Sequence, residues 1–168
     1  RTPTRNGAGQ FPRGGTAVSA PRILHTNSLH GWGGQSNRIL TECEGLAKLG
    51  WDILISAPAD SQLLARAHAK SIPTNPTICY RGGIRPGCLC DVRAMRRLLR
   101  DFRPDIVHLH GGKDSWVAAT ALCLCPPIPR PVIIRTKHNV FPVSDHVPNR
   151  WQYGRFFDWI VCLSAAIV

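Results

Sequence analysis

The sequence predicts an α/β fold: a mostly parallel sheet with helices on both faces. Two observations lead there. From Arg22 onward, apolar runs of strand length alternate with stretches of helical periodicity, and strands separated by helices pair in parallel through crossovers. The composition, 43% hydrophobic and 18% charged over 168 residues, suits one folded domain with a sizeable core rather than a disordered chain.

Each element has a local reason. Residues 1–21 are rich in Gly, Pro, Thr and Arg, carry no acid and show no periodicity, so they are expected to form a disordered basic leader ahead of a domain over 22–168. Arg22-Ile23-Leu24-His25-Thr26 reads as the first strand. It runs into a polar turn holding Gly31, Gly33 and Gly34, then a helix over 34–49 with Ile39, Cys43, Leu46 and Ala47 on its core stripe. Gly50 is placed to end that helix. Residues 53–56 form the second strand, and 61–70 a helix with Leu64, Ala65 and His68 at helical spacing. Two prolines restrict 72–80 to a short edge strand, and 81–90 reads as a glycine-rich loop. Asp91 is expected to cap a helix that ends near Phe102. That helix sets Met95, Leu98, Leu99 and Phe102 against Arg93, Arg96, Arg97 and Arg100, so the arginines form either a solvated face or a membrane-surface patch. Strands follow over 106–110, 132–138 and 159–163, and helices over 116–124 and 149–157. A polar loop spans 139–147, and a further helix starts at Ser164.

The formal charge of +11 favours anionic partners: phosphorylated small molecules, acidic lipid headgroups or nucleic acid. Nucleic acid is the least favoured, because the few aromatics are not interleaved with the basic stretches as stacking platforms would be. The 7 cysteines are expected to be reduced. Cys43, Cys123 and Cys162 lie in apolar segments as small hydrophobes, and the C-x-C pairs lack the C-x-x-C spacing of zinc or thioredoxin-like motifs. No uncharged run reaches the ~18 residues of a membrane span. No apolar core marks a secretory signal, so a cytoplasmic location is expected.

The turn after the first strand carries the chemistry. A helix start offers unpaired N–H groups and a partial positive charge, and glycines let a ligand come close, so Gly33 and Gly34 suit a phosphate or else simply make a tight turn. A dinucleotide fingerprint fails, since Ser36 stands at its last glycine position and the second strand ends Ser56-Ala57-Pro58 without an acid. No G-K-[ST] of a P-loop is present. Parallel sheets bind ligands at the carboxyl ends of their strands. Residues 27–34, 110–114 and 137–139 are therefore expected to converge on one rim.

The order of motifs resembles the N-terminal domain of the GT-B-fold glycosyltransferases of family 4. The resemblance covers roughly Arg22 to the end. It rests on the Gly33-Gly34 turn, Gly50-Trp51-Asp52-Ile53, Ala57-Pro58, Arg103-Pro104-Asp105-Ile106-Val107-His108-Leu109-His110, Arg135-Thr136-Lys137-His138, and Asp158-Trp159-Ile160-Val161-Cys162-Leu163-Ser164. Lys113-Asp114-Ser115-Trp116 also looks like a bacterial branch associated with cell-envelope sugars.

The resemblance implies a Rossmann-like sheet and transfer of a sugar from a nucleotide-sugar, with retention and without a metal or other cofactor. It implies that Gly33 and Gly34 lie against the donor diphosphate and that His138 approaches the donor sugar as the catalytic residue, the alternative being a histidine satisfied by backbone. His110, Lys113 and Asp114 are expected to bind a sugar or lipid-linked acceptor, Asp114 doubling as a helix cap. His108 is expected to be structural. In that family a C-terminal domain grips the nucleotide with basic residues and two glutamates seven residues apart. The only glutamates here are Glu42 and Glu44, so a donor domain, on another chain or otherwise, is expected to complete the site. Peripheral contact with the inner face of the cytoplasmic membrane is expected through the arginine row. The competing expectation is a non-catalytic basic module that binds anionic membrane or another polyanion. A sugar-nucleotide epimerase of the same architecture is a third.

Overall fold

A computed structural model describes residues 19–81, 86–124, 129–138 and 142–163. Most of the expected leader, residues 82–85 and 139–141 of the expected loops and the helix from Ser164 lie outside them. Six parallel strands form one sheet: β1 (Arg22–Thr26), β2 (Asp52–Ser56), β3 (Thr74–Asn75), β4 (Ile106–Leu109), β5 (Val132–Lys137) and β6 (Trp159–Cys162). Their order is β3-β2-β1-β4-β5-β6. The chain winds outward from β1 in one direction, then returns to the centre and winds outward in the other, so the switch point falls between β1 and β4. The helices are α1 (Gly34–Lys48), α2 (Gln62–Ala69), α3 (Pro86–Phe102), α4 (Gly112–Leu124) and α5 (Val147–Trp151), the last running into a π-helical turn over Gln152–Phe156.

Side chains alternate across a strand, so each strand feeds two layers. On one face Ile23, Ile53 and Ile55 pack with Ile39, Leu40 and Cys43 of α1 and Leu63, Leu64 and Ala67 of α2. On the other, Leu24, Val107, Leu109 and Ile133 pack with Met95, Leu98 and Leu99 of α3 and Val117, Ala118, Ala121 and Leu122 of α4. Both faces are covered, as a parallel sheet requires. Burial pushes the Cys43 thiol up to about 12, so it serves as core and not as a nucleophile.

Two aspartates set the strand starts. The Asp105 carboxylate accepts from the Arg22 N–H at 2.8 Å, tying β1 to the entry of β4. Asp158 accepts from the Ile133 N–H at 2.7 Å and pairs with Arg130, tying β5 to the entry of β6. Ser61 caps α2, its hydroxyl accepting from the Leu64 N–H. Gly50 follows α1 at φ +80°, in the left-handed region where a Cβ is penalised.

Several local expectations are corrected. α3 begins at Pro86, so residues 86–90 are helical rather than loop and Asp91 lies inside the helix. Its buried carboxylate accepts from the Cys79 N–H at 3.0 Å and the Arg81 N–H at 2.9 Å, pinning an irregular segment to α3. Ala47 and Ala65 are exposed, while Leu40, Leu63 and Ala67 take the core positions. Cys123 is exposed on the solvent side of α4. No helix among the described residues is long and apolar enough to cross a membrane.

Candidate functional site

The carboxyl ends of β1, β4 and β5 open into a cleft of about 570 Å³. Ser28, Leu29 and Gln35 wall it from the β1 side, His110 to Lys113 from the β4 side, and Arg135, Lys137 and His138 from β5. The segment holding His146, Asn149, Gln152 and Tyr153 closes the far side. The lining includes Lys113, Arg135 and Lys137 and, among the described residues, no carboxylate. The field inside therefore favours an anion.

Asp114 builds the rim without facing the cleft. It is fully buried. Its Oδ2 accepts from the Thr26 hydroxyl at 2.7 Å and from the N–H groups of Gly111 and His110 at 3.0 and 3.1 Å, while Oδ1 accepts from Ser28 at 3.1 Å. One carboxylate thus clamps the loop after β1 to the turn after β4. It holds the turn and, being fully buried and absent from the lining, presents neither oxygen to the cleft. Burial pushes its pKa up, opposed by Arg135 and by the donated hydrogen bonds. A Cβ at Gly111 would lie 2.6 Å from the Ser28 hydroxyl and inside contact distance of Asp114 Oδ1, so the clamp requires glycine there.

Behind the rim runs a line of histidines that follows from strand register. His25 pairs with His108 across β1 and β4, and His110 lies two residues further on the same face. His25 Nδ1 lies 3.2 Å from His110 Nε2, and His110 Nδ1 lies 3.0 Å from His138 Nε2, so three imidazoles form a chain from the core to the cleft. His108 Nε2 bonds the Thr136 hydroxyl at 2.7 Å, and its Nδ1 stands 3.3 Å from Glu42 of α1. Burial pulls His25 down to about 3, helped by His108, and holds His110 well below its ordinary range. The half-buried His138 falls to about 4 through burial and the nearby Arg135 and Arg38. The chain is uncharged near neutral pH. Burial pushes the Glu42 carboxyl up, but the imidazoles of His108 and His25 and the Arg38 guanidinium outweigh it, and the net shift is downward.

His25, His108 and His110 each bring a ring nitrogen within 4.8 Å of the others. A first-row ion at ~2.0–2.1 Å from each needs donors roughly 3.4 Å apart, so the set would have to close up to hold one. Hydrogen bonds within the chain already occupy several of those nitrogens.

Sequence reasoning placed His110, Lys113 and His138 on one rim, and all three line the cleft. Gly33 and Gly34 sit beside it at the start of α1, with open space where a Cβ would be, and the next residue, Gln35, reaches the lining. Arg93, Arg96, Arg97 and Arg100 lie on the solvent face of α3, away from the cleft, where Arg97 and Arg100 both bond Asp101. Sequence reasoning passed over His25 and Arg135. His25 could have been found from its strand partner His108, had the β1–β4 pairing been worked out.

The fold is shared with solved structures of low sequence identity. MurG of Acinetobacter baumannii superposes with a TM-score of 0.64 at 14% identity, over 84% of this chain and 41% of that one. Anabaena HepE in complex with UDP-glucose gives 0.63 at 16% identity, over 87% and 38%. UDP-GlcNAc 2-epimerase of Neisseria meningitidis bound to UDP-GlcNAc gives 0.52 at 15%, over 83% and 39%. The chain thus spans about two fifths of the length of these proteins, and the architecture alone does not separate transfer from epimerisation. No curated protein matches the chain significantly. The model of Glycosyltransferase Family 4 matches residues 32–168, most of the described sheet and the whole of the β4 and β5 rim, and the chain belongs to that family.

Proposed function

We propose that the cleft is the acceptor side of a sugar-transfer site, in a retaining enzyme that moves a sugar from a nucleotide-sugar to a cell-envelope or lipid-linked glycan acceptor. The observation that supports it is a cationic cleft, with no carboxylate among the described residues, at the switch point of a family 4 domain. In this reading the amides at Gly33 and Gly34 face the donor diphosphate, where a helix start stabilises the charge that develops on the leaving group. His138 meets the donor sugar, while His110 and Lys113 meet the acceptor. No metal takes part. The protein works in the cytoplasm, at the membrane surface when its acceptor is lipid-linked.

The polarity of the histidine chain defines what His138 offers. A neutral imidazole carries one N–H. If each ring donates outward, from His25 to His110 to His138, the buried unpartnered Nε2 of His25 is a bare acceptor. If each donates inward, that same atom is a buried orphan N–H, the costlier of the two. Outward donation leaves His138 with its proton on Nδ1, an uncharged donor for a sugar oxygen. Long-range proton–nitrogen NMR of histidine-labelled protein is expected to show His138 protonated at Nδ1 and bare at Nε2. The opposite tautomer would refute this polarity.

Residues outside these 168 are proposed to supply the grip on the donor nucleotide. The purified chain is therefore expected to show little or no sugar transfer or donor hydrolysis. Turnover at a rate comparable with a two-domain relative would overturn that division of labour.

A further inference from the structure

Arg135 is the residue the reading above leaves unexplained. It lies on β5, its side chain faces the cleft, and it is only 8% exposed. Its guanidinium nitrogen Nη1 is buried and has no hydrogen-bond partner. A buried N–H of a charged group that lacks an acceptor has lost its water without a hydrogen bond in exchange, a cost that a bound anion would relieve. The Asp114 carboxyl, whose pKa Arg135 helps to lower, takes its four hydrogen bonds from other groups.

The same cleft receives the N-terminus of α4, a 13-residue helix that starts at Gly112. Gly111, Gly112 and Lys113 line the cleft directly, and a Cβ added at Gly112 would meet nothing within 4 Å, so a ligand can approach the backbone there. The dipole of such a helix places roughly half a positive charge at that end. An arginine with one unpartnered buried nitrogen, a helix start and Lys113 thus line one volume that holds no acid among the described residues.

We propose that Arg135, Lys113 and the first turn of α4 form a phosphate subsite, and that the acceptor entering the cleft carries a phosphate or diphosphate group. The inference rests on the reading of the cleft as the acceptor side and gives that acceptor a chemical class. Arg135 would take two phosphate oxygens through its planar fork, and the α4 amides and Lys113 would take the rest. This subsite is separate from the place proposed for the donor diphosphate at the start of α1, on the other side of the switch point.

The test is a titration of the full chain, nitrogen-labelled, with inorganic pyrophosphate, glucose 1-phosphate, farnesyl diphosphate in detergent micelles, and glucose as the uncharged control. Saturable shifts are expected at the amides of 111–114 and at the Arg135 side chain for all three phosphates, with none for glucose. Preference for farnesyl diphosphate would assign the phosphate to a lipid carrier, and preference for glucose 1-phosphate to a sugar. Arg135→Gln is expected to weaken binding at least tenfold, Arg135→Lys less, and Arg93→Gln on the distant α3 face not at all. If Arg135→Gln does not fold, the wild-type shift map and Arg135→Lys still decide. Absence of saturable binding, or shifts clustered away from 111–114 and Arg135, would overturn the subsite. UDP titrated in parallel separates the two ideas: UDP shifts near Gly33 and Gly34 with no phosphate shifts at Arg135 would sink the subsite and leave the transfer site standing. Phosphate shifts at Arg135 combined with sugar-transfer assays that fail even in a two-domain relative would do the reverse.

Discussion

Asp114→Ala is expected to destabilise the chain by about 3–5 kcal/mol, the largest effect of any single rim substitution. The carboxylate satisfies two hydroxyls and two backbone N–H groups, two of them on the buried residues Thr26 and His110 and two on the half-buried Ser28 and Gly111. Alanine leaves those donors without partners and opens a polar void between the loop after β1 and the turn after β4, and stranded buried donors are charged their full desolvation. Asp114→Asn should cost less, since one oxygen remains while its amide meets donors that it cannot accept from. Urea denaturation of the two variants reads both values. A loss under about 1 kcal/mol for alanine would show that the clamp does not hold the rim.

Mild acid is expected to do comparable damage through the histidine chain. An unfolded histidine takes up its proton as the pH falls through 6.5, whereas folded His25 resists until about 3. A group with a lowered folded pKa makes its full contribution above the unfolded value and loses it as the pH drops toward the folded one. At pH 5 His25 alone removes about 2 kcal/mol. His110 acts in the same direction, and half-exposed His138 adds a smaller share because solvent screens it. Against a typical stability of about 5–15 kcal/mol, the urea midpoint should fall steeply between pH 7.5 and 5. A flat profile over that interval would mean that the imidazoles are not held neutral in the folded state. His25→Leu, which removes the titrating group, should flatten the profile even if it lowers stability at pH 7.5.

How much of this was legible in the residues depends on the range of the interaction. Alternation of apolar runs with helical stretches pointed to six strands in a mostly parallel sheet, because strand and helix periodicity are local properties of the chain. The rim was legible too. In a doubly wound sheet the loop after each strand must reach the same edge, so His110, Lys113 and His138 had to meet once the strands were placed. Asp91 misled for the opposite reason. Alone it reads as a cap, and only the fold brings the amides of Cys79 and Arg81 to its carboxylate. Arg135 was invisible because one arginine in an apolar strand looks like a solvated end. Its burial is a matter of long-range packing that no local pattern encodes.

The central strand has a further consequence. β4 presents Val107 and Leu109 to one layer and His108 to the other, with His110 just beyond its end on the His108 side, so its two sides have opposite solvent preferences. A slip of one residue along β1 or β5 would turn imidazoles into the α3–α4 oil and valine and leucine into the hydrogen-bonded file, penalising both layers at once. Misaligned assembly of the sheet is thereby discouraged from two directions. The polar file that equips the cleft also acts as a key for correct strand alignment during folding.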